Sequence, residues 1–468
     1  MTKEAVPICV DLDGTLVKTD LLFESIIQLL KRKPFFLFAL LIWRLKGKAY
    51  LKSKIASLIP ICTEFLPYNA KVVQFLRKAK QNNHLIFLAT GSPKAYADQV
   101  AKHLGLFENT FSTEMGINLT RENKMRSLVH EFGEKGFVYI GNSRDDVPIW
   151  RAAHSAYFVN TPHSIQNQVK RFMTQTSVID ERAISLQSIV KQLRIYQWVK
   201  NALLFIPMIT SHSWTGAFDV FLAFFSFSFL SSVIYIVNDL FDLEADRQHP
   251  TKKNRPLASG ELSIQFGLAL AFVLVLMSFS LTYFLPKSFI GILFFYFIIN
   301  ISYNTVFKMK PIIDVLSLSM LYLLRVLGGH AVTGIPLSSW LTTFALFFFL
   351  SLALIKRYTE CDTKESMKGR GYGPSDVTFI STLGIASNAI SILVFALYLN
   401  TEQVAKTYQS PEYLWVSIPL LFYWINRLWL KAFRRQMDDD PVVFAIRDRI
   451  SHYVAILLGL AILSAYYL

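Results

Sequence analysis

The sequence predicts two folds in series: an α/β domain with a helical cap over residues 1–185, then an all-α polytopic membrane domain of about nine transmembrane helices over 186–468. Three observations carry that expectation. The 468 residues are 53% hydrophobic and 14% aromatic, too apolar for a soluble enzyme of this length. The apolar residues are unevenly placed, in short strand-like runs at first and later in stretches of about 20 residues, the length that crosses a bilayer. The short runs also end on acidic or hydroxyl residues, as α/β sheets do where they carry chemistry.

In the first domain, Val6 to Val10 is a short apolar strand running directly into Asp11-Leu12-Asp13-Gly14-Thr15. Two carboxylates one residue apart on an extended segment point the same way. One can attack a phosphoryl group while the other moves a proton to the leaving oxygen. A second strand, His84 to Ala89, ends at Thr90-Gly91-Ser92, and Lys124 opens a polar helix. A third, Phe137 to Ile140, ends at Gly141-Asn142-Ser143-Arg144-Asp145-Asp146. This order of motifs, spread over residues 5–160, resembles the haloacid dehalogenase-like phosphatases, whose fold is Rossmann-like. The resemblance implies Asp11 as nucleophile, Asp13 as general acid and base, and Thr90 and Lys124 as phosphate ligands. It also implies one Mg²⁺ held by Asp11, Asp13 and Asp146. Asn142 departs from the family, which usually has an acid there, and a neutral oxygen attracts Mg²⁺ less strongly.

The cap, residues 17–78, has a largely helical pattern. It contains the apolar run Pro34 to Trp43, followed by Arg44, Lys46, Lys48, Lys52 and Lys54. That run is too short to span a bilayer. Two readings stand: the core helix of the cap, or an interfacial face with a basic flank resting on anionic lipid.

The nine candidate spans are 196–212, 217–238, 263–285, 288–306, 311–333, 339–356, 379–399, 411–430 and 451–467. One set of intervening loops carries Arg247, Lys252, Lys253, Arg255, Lys308, Lys310, Lys356, Arg357, Lys364, Lys368, Arg370, Arg427, Lys431, Arg434 and Arg435. The other carries little beyond Lys287 and Lys406. The positive-inside rule therefore places the first set, and both candidate sites, on the cytoplasmic side of the inner membrane. Topology and phosphate chemistry account for the net charge of +15, and no nucleic-acid role is expected. The chain opens with a strand pattern rather than a signal peptide, and Cys9, Cys62 and Cys361 have neither metal nor disulfide spacing.

The segment Asn238-Asp239-Leu240-Phe241-Asp242-Leu243-Glu244-Ala245-Asp246-Arg247 closes one span, and Asn238, Asp242 and Asp246 recur every four residues. On a helix they share a face. Carboxylates at a membrane helix end need neutralising, and a divalent ion with the basic residues Lys252, Lys253 and Arg255 is a natural way to hold a diphosphate. Tyr303, Lys308 and Asp314 flank a later turn, and Asp314 and Arg325 lie eleven residues apart on one helix face. Lys356, Arg357 and Tyr372 are further candidates from the cytoplasmic loops. A transporter would explain isolated carboxylates; this many polar groups at one depth favours an enzyme.

With these residues, 186–468 resembles the UbiA-type intramembrane prenyltransferases. The first acidic signature is matched in full, whereas Asp314 stands without the usual second carboxylate, since Leu318 occupies that place. Arg194-x-x-Gln197-Trp198-Val199-Lys200-Asn201, Glu244-Ala245-Asp246-Arg247-x-His249-Pro250, Arg370-Gly371-Tyr372 and Asp439-Asp440-Pro441 resemble the decaprenyl-phosphate phosphoribosyltransferase branch. The resemblance implies transfer of 5-phosphoribose from phosphoribosyl pyrophosphate to a polyprenyl phosphate. A second Mg²⁺ would sit on Asn238, Asp242 and Asp246, with Lys200, Arg247, Lys252, Lys253, Arg255, Tyr303 and Lys308 as substrate ligands. Asp314 would complete the metal shell or hold ribose hydroxyls. Arg325, Lys356 and Arg357 would face the acceptor phosphate. The phosphatase domain would then remove the 5-phosphate. A rival assignment keeps diphosphate chemistry but makes a polyprenyl diphosphate the donor to an aromatic or small polar acceptor. Homo-oligomerisation is compatible with the sequence.

Overall fold

The computed structural model describes residues 6–114, 118–181, 184–362, 371–437 and 440–468. Lys364, Lys368, Arg370 and Asp439, singled out above, lie outside the described residues. The chain divides into two compact units, one made of Met1–Leu193 with Tyr235–Phe272, the other of Arg194–Ile234 with Val273–Leu468.

The first unit is built on a six-stranded parallel sheet: β1 (Ile8–Val10), β2 (Ile86–Pro93), β3 (Asn109–Thr113), β4 (Val138–Gly141), β5 (Ser155–Val159) and β6 (Thr176–Asp180), in the order β3-β2-β1-β4-β5-β6. Ile8 pairs with Ile86 on one side and Val138 on the other, so β1 is central. Its residues Cys9 and Val10 are fully buried, as continuous apolar runs in parallel strands require. The chain winds outward through β2 and β3, then returns past β1 to β4. That reversal puts the ends of β1, β2 and β4 at a switch point, where such sheets bind ligands.

The cap follows β1 as helices Leu21–Arg32, Phe36–Leu45 and Lys48–Leu58. Asp20 starts the first by accepting hydrogen bonds from the Leu22 and Phe23 amides at 3.0 and 3.2 Å. This helix also fastens the segment 235–272 to the unit. Arg247 donates to Glu24 through both terminal nitrogens, at 2.7 and 3.0 Å, and both side chains are only 6% exposed. Lys31 donates to the Phe241 carbonyl at 2.7 Å and to Asp242 at 2.9 Å, and Gln265 donates to Asp20 at 3.2 Å.

Seven helices among the described residues are long and apolar enough to cross a membrane: Ala217–Phe241, Ile264–Thr282, Lys287–Thr305, Ile313–Thr333, Ser339–Cys361, Pro374–Leu399 and Arg449–Tyr467. Nine spans are not confirmed, because two of the expected segments are built differently. Residues 196–212 fold as a 3₁₀ stretch, Ile195–Phe205, and a six-residue helix, Ile206–Ser211, with Pro207 in its first turn. Residues 411–430 become a 3₁₀ turn, Pro411–Val416, and the helix Ser417–Phe433. The latter has 17 residues, fewer than any of the seven.

Packing in the second unit is close enough to demand a glycine. A Cβ on Gly384 would lie 2.1 Å from the Trp429 ring, whose indole N–H donates to Ser351 at 3.0 Å while Ser351 donates to the Gly384 carbonyl at 2.9 Å.

Breaking the Glu24–Arg247 pair from one side leaves a guanidinium buried without its counter-charge. Glu24→Ala is therefore expected to lower stability by about 3–5 kcal/mol, read as a fall in the thermal midpoint in detergent. Glu24→Gln combined with Arg247→Met should recover most of the loss.

Candidate active sites

The turn after β1 and the ends of β2 and β4 bring Asp11, Asp13, Thr90, Lys124 and Asp146 together. Lys124, on the helix Glu122–Phe132, donates to Asp11 at 2.8 Å and to the Tyr139 hydroxyl at 3.0 Å, and lies 3.8 Å from Asp146. All three charged groups are at most 7% exposed. Burial pushes Asp11 up to about 7, against the pull of Lys124. Burial also works against the Lys124 ammonium, but Asp11 and Asp146 outweigh it and hold its pKa above the ordinary lysine value. Asp13 accepts from the Leu21 amide at 2.9 Å, Ser92 Oγ at 2.7 Å and Thr90 Oγ1 at 3.4 Å. Burial and the nearby Asp20 push it up to about 6. Of two carboxyls one residue apart, Asp11 is thus held by a cation and Asp13 by neutral donors, a division suited to nucleophile and acid.

Asp146 has a different surrounding from a bare metal ligand. Tyr139 donates to its Oδ1 at 2.8 Å, and Oδ2 accepts from the amides of Asn142 and Ser143 at 3.0 Å each and from Ser143 Oγ at 3.2 Å. It clamps the loop after β4 and supplies Lys124 with a second anion. Among the described residues no group of three acidic, His or Cys side chains could by itself hold a metal. The oxygen donors nearest such a role are the Asp11 carboxylate, the Asp13 carbonyl and the Asn142 side chain, whose amide nitrogen lies 3.3 Å from that carbonyl. Gly14 keeps the cradle open: its φ is +78°, and a Cβ there would sit 2.0 Å from Asn142 Nδ2. This hard-oxygen set suits Mg²⁺.

Three further residues complete this centre: Ser92, in the motif that closes the second strand, Tyr139, within the third strand, and Lys52, from the basic flank of the cap; none carries a sequence signal for its role. Lys52, on the cap helix Lys48–Leu58, donates to the Gly91 carbonyl at 2.6 Å and to Asn118 at 2.9 Å. Burial holds its pKa below the ordinary lysine value, against the opposing fields of Asp13 and Asp20.

Within the same unit, the acidic segment bends at Asp242, between Ala217–Phe241 and the short helix Leu243–Gln248. The four-residue spacing survives in the backbone: Asp242 N donates to Asn238 O at 2.9 Å, and Asp246 N to Asp242 O at 2.8 Å. The side chains take separate cations. Arg255 donates to Asp246 at 2.6 Å and to Asp239 at 3.0 Å, while Asp242 pairs with Lys31. Burial raises the pKa of Asp246, with Arg255 opposing. Lys252 and Lys253 are exposed, and Arg247 is taken by Glu24. Asp239, Asp242 and Asp246 are thus each balanced by a basic residue, and their oxygens with that of Asn238 are of the hard type that Mg²⁺ takes.

The second unit gathers the other candidates in two clusters. Arg357 is 1% exposed and bonds both oxygens of Asp314, which is fully buried; it also bonds Glu360, and Tyr303 at 2.6 Å. Tyr372 accepts from the Ile312 amide at 2.7 Å, at the start of the helix Ile313–Thr333 that carries Asp314. Arg325, on the same helix, has its own partners: Asn201 at 2.7 Å, the Tyr296 hydroxyl at 2.9 Å and the Leu321 carbonyl. No carboxylate pairs with it among the described residues. Lys200 pairs with Asp440, and Lys308 lies in the turn Phe307–Met309.

An α/β unit with an acid–lysine centre at its switch point and a multi-pass helical unit define the class: a membrane protein equipped for phosphate chemistry. Comparison gives the family. The sequence profile of the UbiA prenyltransferase family matches residues 202–466, and that of haloacid dehalogenase-like hydrolase matches 8–151. The protein y4nM of Sinorhizobium fredii is 31% identical over 470 residues, 98% of this chain and 91% of its own. Decaprenyl-phosphate phosphoribosyltransferase of Mycobacterium tuberculosis is 31% identical over 298 residues, 61% of this chain and 96% of its own. A UbiA homolog from Archaeoglobus fulgidus, solved with GPP and Mg²⁺, is 18% identical with a TM-score of 0.44, covering 59% of this chain and 99% of its own. The chain belongs to the UbiA prenyltransferase family and carries an amino-terminal haloacid dehalogenase-like domain.

The Tyr139 hydroxyl bridges Lys124 and Asp146 in a buried site, so Tyr139→Phe leaves both short of a partner. A loss of about 1–3 kcal/mol in stability is expected, measured by chemical denaturation, together with weaker binding of vanadate as a phosphate mimic.

Proposed function

We propose that this chain is a bifunctional enzyme. It transfers 5-phosphoribose from phosphoribosyl pyrophosphate to a polyprenyl phosphate, then removes the 5-phosphate to give polyprenyl-phosphoryl ribose. The transfer half is supported by similarity to the phosphoribosyltransferase of M. tuberculosis along nearly that protein's whole length. The observation that carries the coupling is the helix Leu21–Arg32: its first amide bonds Asp13, and Lys31 in its last turn bonds Asp242. One rigid element thus touches the acid of the phosphatase centre and the acidic segment of the transferase.

In the transfer, the bond from the anomeric carbon to the diphosphate breaks and the acceptor phosphate oxygen takes its place. Negative charge grows on the departing diphosphate, and Mg²⁺ held by Asn238, Asp242 and Asp246 would supply the opposing charge. Lys252 and Lys253, exposed in the loop, would meet donor phosphates; Arg325, buried and without a carboxylate partner among the described residues, would meet the acceptor phosphate. Asp314 would complete the metal shell or hold ribose hydroxyls, Lys356 and Arg357 would join Arg325 at the acceptor phosphate, and Lys200, Tyr303, Lys308 and Tyr372 are the remaining candidate substrate ligands.

In the hydrolysis, Asp11 attacks phosphorus and the bond to the ribose 5-oxygen breaks as Asp13 gives that oxygen its proton. Water then attacks the aspartyl-phosphate and returns a proton to Asp13, releasing phosphate. Lys124, Thr90 and Lys52 would hold the phosphoryl oxygens. Mg²⁺ on Asp11, the Asp13 carbonyl and Asn142 would offset charge on the phosphoryl group. Both sites face the cytoplasm of the inner membrane in this reading, following the loop charges.

Purified protein incubated with phosphoribosyl pyrophosphate, Mg²⁺ and a polyprenyl phosphate should yield lipid that has gained ribose, by mass spectrometry. Asp11→Asn should stop at the phosphoribosyl lipid. No gain with this donor, but transfer from a polyprenyl diphosphate to an aromatic acid, would overturn the reading. Asn142→Asp adds a charged oxygen to the Mg²⁺ set, so the Mg²⁺ concentration for half-maximal hydrolysis should fall.

A further inference from the structure

The helix Phe36–Leu45 is apolar on both of its faces, and only one is used. Phe36, Leu40 and Trp43 pack against Leu29, Leu51, Ile55 and Ile59 of the cap. The opposite face holds Phe38, Leu41, Ile42 and Leu45, spaced as one side of a helix and 69%, 61%, 56% and 88% exposed; Phe35, just before the helix, is 87% exposed. A soluble cap has no reason to present such a surface to water.

Two facts say what covers it. From residue 25 to 63 the chain has eight basic residues and no acidic one: Lys31, Arg32, Lys33, Arg44, Lys46, Lys48, Lys52 and Lys54. Most flank the bare face and are exposed. Within the same unit, the preceding helix is also tied to Phe241 and Gln265, which end and begin two membrane-length helices. Lys31 bonds the carbonyl of Phe241, the last residue of Ala217–Phe241, and Asp20 accepts from Gln265 at the start of Ile264–Thr282. Four residues after Arg32 the apolar helix begins.

We infer that Phe36–Leu45 lies in the bilayer interface, its outer face among the acyl chains and its Lys and Arg residues on anionic lipid head groups. The helix is too short to span, but it has the composition of an interfacial anchor. Gly47, with φ +110°, joins it directly to the helix that carries Lys52 into the phosphatase centre. The anchor therefore holds one wall of that centre at the surface where a lipid-borne phosphate monoester is presented. This consequence rests on the phosphatase reading, whereas the anchoring itself does not.

The test uses the full chain in nanodiscs, with a nitroxide at Phe38→Cys or, as control, at the exposed Lys102→Cys. Cys62 is replaced by Ser in both; Cys9 and Cys361 are buried. In discs of equimolar phosphatidylcholine and phosphatidylglycerol, the label at 38 should collide with oxygen far more than with a water-soluble nickel chelate, and the control the reverse. Nickel collisions at 38 equal to the control, or a label shielded from both reagents by a second copy, would overturn the inference. A second arm compares Phe38→Glu/Leu41→Glu with wild type. KM for the lipid-borne phosphoribosyl substrate should rise about tenfold as the anchor is lost, with p-nitrophenyl phosphate turnover unchanged. Equal KM values would refute the consequence for substrate presentation. If wild type hydrolyses neither substrate, the phosphatase reading fails while the nitroxide result still decides the anchoring.

Discussion

The first unit depends on the rule that a buried charge needs a partner. Glu24 and Arg247 come from distant parts of the chain, yet both are almost wholly buried and meet through two hydrogen bonds. A bidentate guanidinium–carboxylate pair fixes angle as well as distance. The cap helix and the acidic segment are therefore held in one orientation. Lys31–Asp242 and Gln265–Asp20 lie on either side of that pair and add a little geometry each, being more exposed.

The same rule organises both sets of candidate residues. Lys124 stands between two acids, Arg255 between Asp239 and Asp246, and Arg357 between Asp314 and Glu360. Of the acids expected to meet a metal or a sugar, Asp11, Asp146, Asp242, Asp246 and Asp314 already have a basic neighbour, while Asp13 is held by neutral donors. A ligand that brings phosphate and Mg²⁺ together can enter such a network by exchanging partners, so net charge changes little on binding. Arg325 differs, since its partners among the described residues are an amide, a hydroxyl and a carbonyl.

The haloacid dehalogenase-like motifs were legible because three of the four sit at the end of an apolar strand, where order along the chain predicts position in the sheet, and the fourth, Lys124, opens a polar helix between them. Tyr139 and Lys52 were not, since one reads as a strand residue and the other as part of a basic run; only tertiary packing turns them inward. In the second unit, helix periodicity put Asp314 and Arg325 on one face, but the carboxylate bonds Arg357 from the next long helix. Periodicity describes a helix's own faces and is silent about its neighbours. The two expected spans that break do so by changing helix type, beside Pro207 and Pro411, which hydropathy alone does not register.

The discontinuity of the first unit bears on the order in which the chain is made. All six strands lie between residues 8 and 180, so the sheet can close early during synthesis. Glu24 has no counter-ion until Arg247 has left the ribosome, and Arg247 follows the first membrane-length helix, Ala217–Phe241. The Glu24–Arg247 lock of the cap can therefore close only once that helix has been synthesised, so the α/β unit, although its sheet is complete by residue 180, reaches its final form about 65 residues later.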